Sequence, residues 1–147
     1  MNPPPLPSGA SPDGSSQRLR VAHVVHGFGI GGLERSVAQL VEHLDRERYE
    51  HSVFCFGEVG PGRWWIRPGR AELVPLAKRK GNDPLLVRRL AKRLRASAVE
   101  VVHSHNWGTR VEAAVASRWV GAAHVHSLHG APTEGVDCTP WRSRMRA

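Results

Sequence analysis

Short apolar runs alternate with longer amphipathic stretches along most of this chain. The run at 19–25 is rich in β-branched residues and is stopped by glycine, which is typical of a buried strand. The stretch at 33–44 places its apolar residues on one face of an α-helix. The alternation predicts an α/β fold, a Rossmann-like doubly wound parallel sheet with right-handed crossovers. Further strands are predicted at 52–56, 72–76, 99–103 and 123–128, and further helices at 83–97 and 109–120.

The two ends of the chain depart from this pattern. Residues 1–17 consist largely of Pro, Gly and Ser and have little to bury, so they are predicted to be a disordered leader. Residues 18–130 have the length of a single domain. Residues 131–147 are interpreted as the truncated start of a following helical segment, because Pro140 after Thr139 signals a helix start close to the last residue.

The charge of the chain favours anionic partners. Lys and Arg number 21 and Asp and Glu number 13, a formal net charge of +8, which suits sugar nucleotides, phospholipid or nucleic acid. No segment approaches the roughly 18 uninterrupted apolar residues that a membrane-spanning helix needs. The 2 cysteines are too few for a disulfide framework or a thiolate metal site. We therefore expect a cytoplasmic protein.

A glycine cluster separates the first predicted strand from the first predicted helix. Gly27, Gly29 and Gly32 satisfy the pattern G-x-G-x-x-G, and Gly31 adds a further glycine. Here the backbone can approach a ligand closely, and the free amides at the helix start favour an anion such as a diphosphate. The alternative is a tight turn whose glycines only permit close packing. A dinucleotide site would also need an acidic residue at the end of the second strand, and Glu58 comes late for that role.

Histidines follow several of the predicted strands. His26, His105 and His129 fall near strand ends, at the edge where parallel sheets bind ligands, and they predict a polar, titratable crevice. Alternation within strands also makes a metal site conceivable, since it places two pairs on common faces. No carboxylate or thiolate accompanies either pair, so we expect no metal cofactor and only packing roles for these histidines, His105 excepted. The pairs are His103 with His105, and His124 with His126.

The predicted helix at 83–97 combines an apolar stripe with a basic surface. Leu86, Leu90 and Leu94 are spaced i, i+4 and i+8, and Asp83 before a proline is predicted to be the N-cap. The basic residues form either an ordinary solvated face or a peripheral contact with anionic lipid at the inner membrane face. Without interleaved aromatic side chains, this surface does not predict nucleic-acid binding. The basic residues are Arg88, Arg89, Lys92, Arg93 and Arg95.

A family resemblance rests on four segments, HVVHGFGIGGLER, LDRERYEHSVFCF, VEVVHSHNWGT and SLHG. They resemble, in order, the first strand with its glycine loop and helix, the approach to the second strand, the fourth strand with its histidine motif, and the end of the next strand. The family is that of the family 4 retaining glycosyltransferases of the GT-B fold, close to sugar transferases of exopolysaccharide systems. The resemblance covers about residues 18–130, which correspond to the N-terminal, acceptor-side domain.

The resemblance implies a reaction and a set of site residues. The expected reaction is transfer of a sugar from a nucleotide-sugar donor to a glycan or lipid-linked acceptor, with retained anomeric configuration and little acid–base chemistry from the protein. Backbone amides of Gly31 and Gly32 are expected to contact the donor diphosphate. His105 is expected to be the catalytic residue in the cleft, with His129 and Asn106 as further cleft residues. Since a strand-end histidine packs little, His105→Ala is expected to affect transfer far more than stability.

The resemblance also implies that part of the enzyme is missing. The family's C-terminal domain, which carries most donor-binding side chains, has no counterpart in these residues, so we expect a truncated chain that is inactive alone. Two other functions remain open at this point. One is an NAD(P)-binding Rossmann domain of an oxidoreductase, which the glycine spacing permits, and the other is a non-enzymatic basic module for membrane surfaces.

Overall fold

The computed structural model describes residues 17–129. This part of the chain forms a five-stranded parallel sheet with helices on both faces, which confirms the predicted α/β fold. The leader predicted at 1–17, apart from its last residue, and the helical start predicted at 131–147 lie outside the described residues. The elements in chain order are β1 Leu19–Val25, α1 Gly32–His43, β2 Tyr49–Cys55, a 3-10 helix Pro61–Trp65, β3 Ala71–Pro75, α2 Leu86–Ala96, β4 Val101–His105, α3 Trp107–Val120 and β5 Ala123–Ser127.

The strand order is β3-β2-β1-β4-β5, and neighbouring strands are parallel. The chain builds the sheet outward from β1 to β3 and then returns to add β4 on the other side of β1. The carboxyl ends of β1 and β4 therefore flank the point where the strand order reverses. Open α/β sheets bind their ligands at this switch point.

The two faces of the sheet have different compositions. On one side, which we call the apolar face, α2 and α3 cover a core that includes Val24, Phe54 and Leu90. On the opposite side, α1 and the segment after the 3-10 helix cover a second core around Val25 and Val53. Strand register places four histidines on this second side, which we call the histidine face: His23, His51, His103 and His105.

Strand β4 begins two residues later than the sequence predicts. Val99 is buried and belongs to the turn after α2, because its amide donates to the Leu94 carbonyl. The strand then continues two residues beyond its predicted end, through Ser104 and His105. Asn106 ends it with a φ of 61°, and α3 follows at once. The revised boundary makes His105 the last residue of a strand rather than part of a loop.

Helix α2 begins at Leu86 with Leu85 at its N-cap, so the prediction of Asp83 as N-cap is wrong. The carboxylate of Asp83 instead accepts hydrogen bonds from the Arg79 amide at 2.9 Å and from the Arg89 guanidinium at 2.6 Å. The Arg89 hydrogen bond, with help from the Arg79 amide, lowers the pKa of Asp83 to about 2. Asp83 thus fixes the loop that precedes α2. Within residues 17–129, no helix is long and apolar enough to cross a bilayer.

Candidate functional site

The glycine loop connects β1 to α1 at the switch point. Gly31 is the N-cap of α1 in an extended conformation, and no side chain of the described residues caps the amides at the helix start. Gly29 and Gly32 face open space, since a Cβ at either would meet no atom within 4 Å. Free amides at a helix N-terminus attract anions. The loop therefore has open space and uncapped amides at Gly32, whereas the Glu34 carboxylate lies over Gly31.

A second loop supports the glycine loop from behind. The amide of Gly57 donates to the His26 carbonyl at 2.8 Å, and the amide of Gly62 donates to the Phe28 carbonyl at 3.1 Å. A Cβ on Gly62 would collide with the carbonyl oxygen of Gly29, and one on Gly60 would lie 3.0 Å from that of Phe28. Residues 57–70 lie between the strands predicted at 52–56 and 72–76, and no role was predicted for them. Their high glycine content is the signal that could have revealed the close approach.

His105, Asn106 and His129 meet at the end of β4. His105 Nδ1 lies 2.9 Å from His129 Nε2, and the Asn106 side-chain oxygen accepts a hydrogen bond from the His129 amide at 2.9 Å. Thr109 at the start of α3 donates to the His105 carbonyl at 2.7 Å. The structure thus brings together the three residues that the sequence predicts at this side of the cleft. His26 is exposed and lies instead beside Gly108, whose Cβ position is 3.8 Å from the His26 Nδ1.

His105 is far more buried than the sequence analysis assumed. Its exposed fraction is 1%, because the side chain points into the sheet face rather than out of the strand end. His105 Nε2 lies 3.3 Å from His23 Nδ1, so both of its nitrogens have partners. The expectation that His105 packs little is therefore wrong, and its removal affects stability as well as any role in the cleft.

The histidine face holds a connected row of imidazoles that crosses three strands. His51 Nδ1 lies 3.2 Å from His23 Nε2, and His23 leads through His105 to His129. His103 stands beside this row, with its ring centroid 4.1 Å from that of His105. His23 and His51 were not predicted as site residues. The alternation of side chains along a strand shows which face a residue occupies but not which strands are neighbours. Knowing the strand order would have placed His23 directly opposite His103.

Burial keeps these imidazoles neutral near pH 7. Burial, and to a smaller extent the neighbouring histidines, lower the pKa of His105 to about 2 and that of His23 to about 3. The pKa values of His103 and His51 are also lowered, mainly by burial. A neutral imidazole has one N–H donor and one lone pair. The row can therefore form N–H···N hydrogen bonds, bind a metal ion or position a neighbour, but its buried members carry no charge.

His124 and His126 lie on the opposite side of the sheet. The hydroxyl of Ser104 is 2.9 Å from His124 Nε2 and 2.9 Å from His126 Nδ1. Burial lowers the pKa of both, and the nearby Arg110 guanidinium lowers it further. These two histidines do not join the row on the histidine face.

The basic residues of α2 are not equivalent. Arg88, Lys92 and Arg93 are exposed. Arg89 is bound to Asp83 and also donates to the Leu76 carbonyl at 3.1 Å. Including Arg89 in a membrane-binding surface is therefore a mistake, because its guanidinium stabilises the loop before α2. Arg95 is exposed but donates to the Trp119 carbonyl at 3.0 Å.

A cavity of about 440 Å³ lies at the other edge of the sheet, around the amino-terminal ends of the strands. Several of the arginines in its wall already have internal partners. Arg18 pairs with Glu50 at 3.5 Å, and Arg70 donates to the backbone carbonyl of Glu42. Since these charges stabilise the fold, the switch point remains the better candidate for a ligand site.

Comparison with known proteins places these features in a family. A model of the family described as Glycosyltransferase Family 4 matches residues 30–147. A comparison with curated protein sequences gives no match. Among solved structures, a glycosyltransferase from Rickettsia africae ESF-5 superposes with a TM-score of 0.59 and 14% sequence identity. The match covers 79% of this chain but 32% of that protein, so this chain spans about a third of its length. At this identity the similarity concerns the fold.

Proposed function

Because the chain belongs to glycosyltransferase family 4, we propose that it forms the acceptor-side domain of a retaining sugar transferase. The substrates are a nucleotide-sugar donor and a glycan or lipid-linked acceptor. One observation carries the proposal: the glycine loop after β1 and the His105–Asn106–His129 group after β4 flank the same switch point. An anion-binding helix start then faces a polar group across one crevice, as transfer from a diphosphate requires.

The amides of Gly31 and Gly32 bind the donor diphosphate in this proposal. Its supports are the uncapped start of α1 and the open space at Gly32. Glu34 lies close by, since its carboxylate oxygen is 2.5 Å from the Cβ position of Gly31. A carboxylate in the first turn stabilises the helix while no anion is bound. Donor binding would displace this side chain from the loop.

His105 and His129 have different roles in this proposal. His129 is partly exposed, and it is the residue that contacts substrate. The buried His105 positions His129 through their 2.9 Å contact, and Asn106 holds the His129 backbone. Since burial keeps His105 neutral, the pair contributes hydrogen bonding and orientation rather than acid–base catalysis. The leaving phosphate then assists deprotonation of the acceptor, and no metal takes part in the transfer.

The second wall of the donor site belongs to a further domain in this proposal. The supporting observation is that the chain spans 32% of the similar glycosyltransferase, whereas the switch-point crevice is open on the side of the glycine loop. The 147 residues alone are expected to bind a nucleotide sugar weakly and to transfer nothing.

A peripheral membrane contact follows if the acceptor is lipid-linked. Arg88, Lys92, Arg93 and Arg95 supply exposed positive charge on α2. Clustered positive charge of this kind favours binding at the surface of an anionic bilayer. A cytoplasmic enzyme at the inner membrane face would meet such an acceptor.

Ligand protection of the 147-residue chain tests the donor site. UDP-, GDP- and ADP-sugars are expected to raise its thermal midpoint, and NAD(P) is expected to leave it unchanged. Gly32→Val should abolish the shift, because its side chain would fill the open cradle without meeting protein atoms. Gln39→Val places the same side chain on the exposed side of α1 and serves as the control. Protection by NAD(P) alone would favour an oxidoreductase domain instead.

Vesicle co-sedimentation tests the membrane contact separately. Binding to vesicles rich in anionic lipid is expected to fall strongly when Arg88, Lys92 and Arg93 are all replaced by Glu. Arg118→Glu reverses one charge on α3 and is the control for charge reversal outside α2. Vesicle binding that changes neither with the charge reversal nor with the lipid charge would contradict the membrane proposal. It would not bear on the donor-site proposal.

A further inference from the structure

We propose that His23, His103 and His105 form a binding site for a divalent transition-metal ion of borderline softness, such as Zn²⁺. One ring nitrogen from each of the three lies within 4.8 Å of the others. The three come from the neighbouring strands β1 and β4 and share the histidine face. Imidazole is a preferred ligand for Zn²⁺, Cu²⁺ and Ni²⁺, and three protein ligands with one open position form a complete site type.

The spacing of the two buried ligands fits tetrahedral coordination. His23 Nδ1 and His105 Nε2 are 3.3 Å apart. Zinc binds histidine nitrogen at about 2.0–2.1 Å, so two ligands of a tetrahedron lie roughly 3.3–3.4 Å from each other. A small movement of His103 toward this pair would complete the third position. The sheet therefore holds two ligand atoms at coordination distance without rearrangement.

Each ligand is also held by a second hydrogen-bonding partner. His23 Nε2 lies 3.2 Å from His51 Nδ1, His105 Nδ1 lies 2.9 Å from His129 Nε2, and His103 Nε2 lies 2.7 Å from Ser127 Oγ. Metal-binding histidines almost always have such outer contacts, which fix the ring orientation and the tautomer. When His23 and His105 both donate outward, their lone pairs point at each other. A cation between them removes that repulsion.

The position of the site on the sheet leaves one side open to an ion. The sequence analysis expected no metal because no carboxylate or thiolate accompanies these histidines. That expectation considered only residues close in sequence and not His23. His103 is half-buried and neighbours Val125, which is 48% exposed on β5, so an ion and a fourth, solvent ligand can reach the site from this side.

The metal site shares His105 with the proposed transferase site but does not depend on sugar transfer. A bound ion would fix the His105 ring and, through its Nδ1, the orientation of His129. We therefore expect metal to alter nucleotide-sugar binding in a chain where both sites operate. Metal binding itself is measured without any sugar nucleotide, so failure of either proposal is seen independently of the other.

Titration of the untagged, chelator-treated 147-residue chain with Zn²⁺ tests the proposal. One equivalent per chain is expected to bind, and Co²⁺ is expected to give the intense visible bands of a four-coordinate site. His103→Asn should weaken binding by at least about 10-fold. His124→Asn, on the opposite face, is the control and should bind as the parent chain does. Equal binding by both variants, or loss only in the control, would overturn the assignment.

X-ray absorption on the unmodified zinc-loaded chain covers the case in which a variant does not fold. Three imidazole ligands at about 2.0–2.1 Å are expected. One imidazole, or a zinc ion bound only by oxygen, would contradict the site.

Discussion

The two faces of the sheet are stabilised by different kinds of interaction. The apolar face buries Phe54 on β2 and Leu86 and Leu90 on α2. The histidine face buries His23 on β1 and His105 on β4 to a comparable extent. An apolar core gains free energy from each buried methylene, whereas buried polar groups must all find partners to avoid a penalty. The polar row is therefore expected to add less net stability than the apolar core, and it ends at His129 beside the proposed ligand site.

Leu90→Ala, on the apolar face, is expected to cause the largest loss of unfolding free energy. Leu90 is fully buried on α2, and such a truncation costs about 2–5 kcal/mol through lost transfer energy and a residual cavity. Denaturant unfolding measures the loss. Lys92→Ala, at an exposed position of the same helix, should stay within about 0.5 kcal/mol of the parent chain. Equal effects would mean that α2 does not pack as the structure shows.

His105→Ala breaks the polar row on the other face. It leaves facing nitrogens of His23 and His129 without partners, at about 1–3 kcal/mol for a buried unsatisfied group. We expect a total loss of roughly 2–4 kcal/mol, since His129 is partly exposed. The exposed His26→Ala is the control, measured by the same unfolding experiment. If the His105→Ala variant were as stable as the His26→Ala variant, His105 would make few stabilising contacts.

Acid should destabilise the protein through the histidine face. The folded-state pKa values of His23 and His105 are lowered to about 3 and about 2, from an ordinary 6.5. The unfolded chain therefore takes up protons below about pH 6.5 while the folded chain does not, so stability is full above that pH and falls as the pH drops. Between pH 7 and pH 5 each buried histidine is expected to contribute about 2 kcal/mol of this loss.

Unfolding curves at several pH values test this dependence. His105→Asn should reduce the loss between pH 7 and pH 5 by about 2 kcal/mol, because the contribution of one buried histidine is gone. Leu90→Ala removes no titrating group and should leave the pH dependence unchanged. A parent chain whose stability does not change in this interval would show that the row is already protonated or exposed.

A smaller effect is expected from the loop that supports the glycine cluster. Gly62→Ala forces a Cβ against the Gly29 carbonyl, and overpacking of this kind costs about 1–3 kcal/mol. Gly32→Ala meets no atom within 4 Å and replaces glycine in a helix, so it should be neutral or slightly stabilising. Thermal unfolding of the two variants gives the comparison. The prediction fails if Gly32→Ala is the more destabilising change.

The sequence predicted the elements of the fold more reliably than the contacts within the site. Strand β1 has the predicted bounds because apolar residues fill it and a glycine follows. Strand β4 was predicted to end at His103, because Ser104 and His105 lack the apolar character on which the strand signal depends. Their burial is decided by hydrogen bonds to other strands, which local periodicity does not report.

The candidate site was predicted only in part, because local periodicity does not report contacts between strands. Residues that follow strands, such as Asn106 and His129, could be placed at one sheet edge from the alternation alone. His23 and Gly62 could not, since their roles depend on which segments become neighbours after folding. Strand order and a close approach of two loops are properties of the tertiary structure. The sequence indicates them only through residue types, such as His23 and Gly62, that local periodicity does not explain.

The main-chain support behind the glycine loop has a consequence for binding kinetics and affinity. Because the amides of Gly57 and Gly62 already hold the His26 and Phe28 carbonyls, the loop loses its conformational freedom when the domain folds. A ligand that arrives later has little disorder to remove, so more of its contact energy appears as affinity. Preorganisation of this kind also favours rapid association without a slow loop rearrangement. The segment around Gly60 and Gly62 is thus expected to influence binding at the proposed donor site by holding the glycine loop in place.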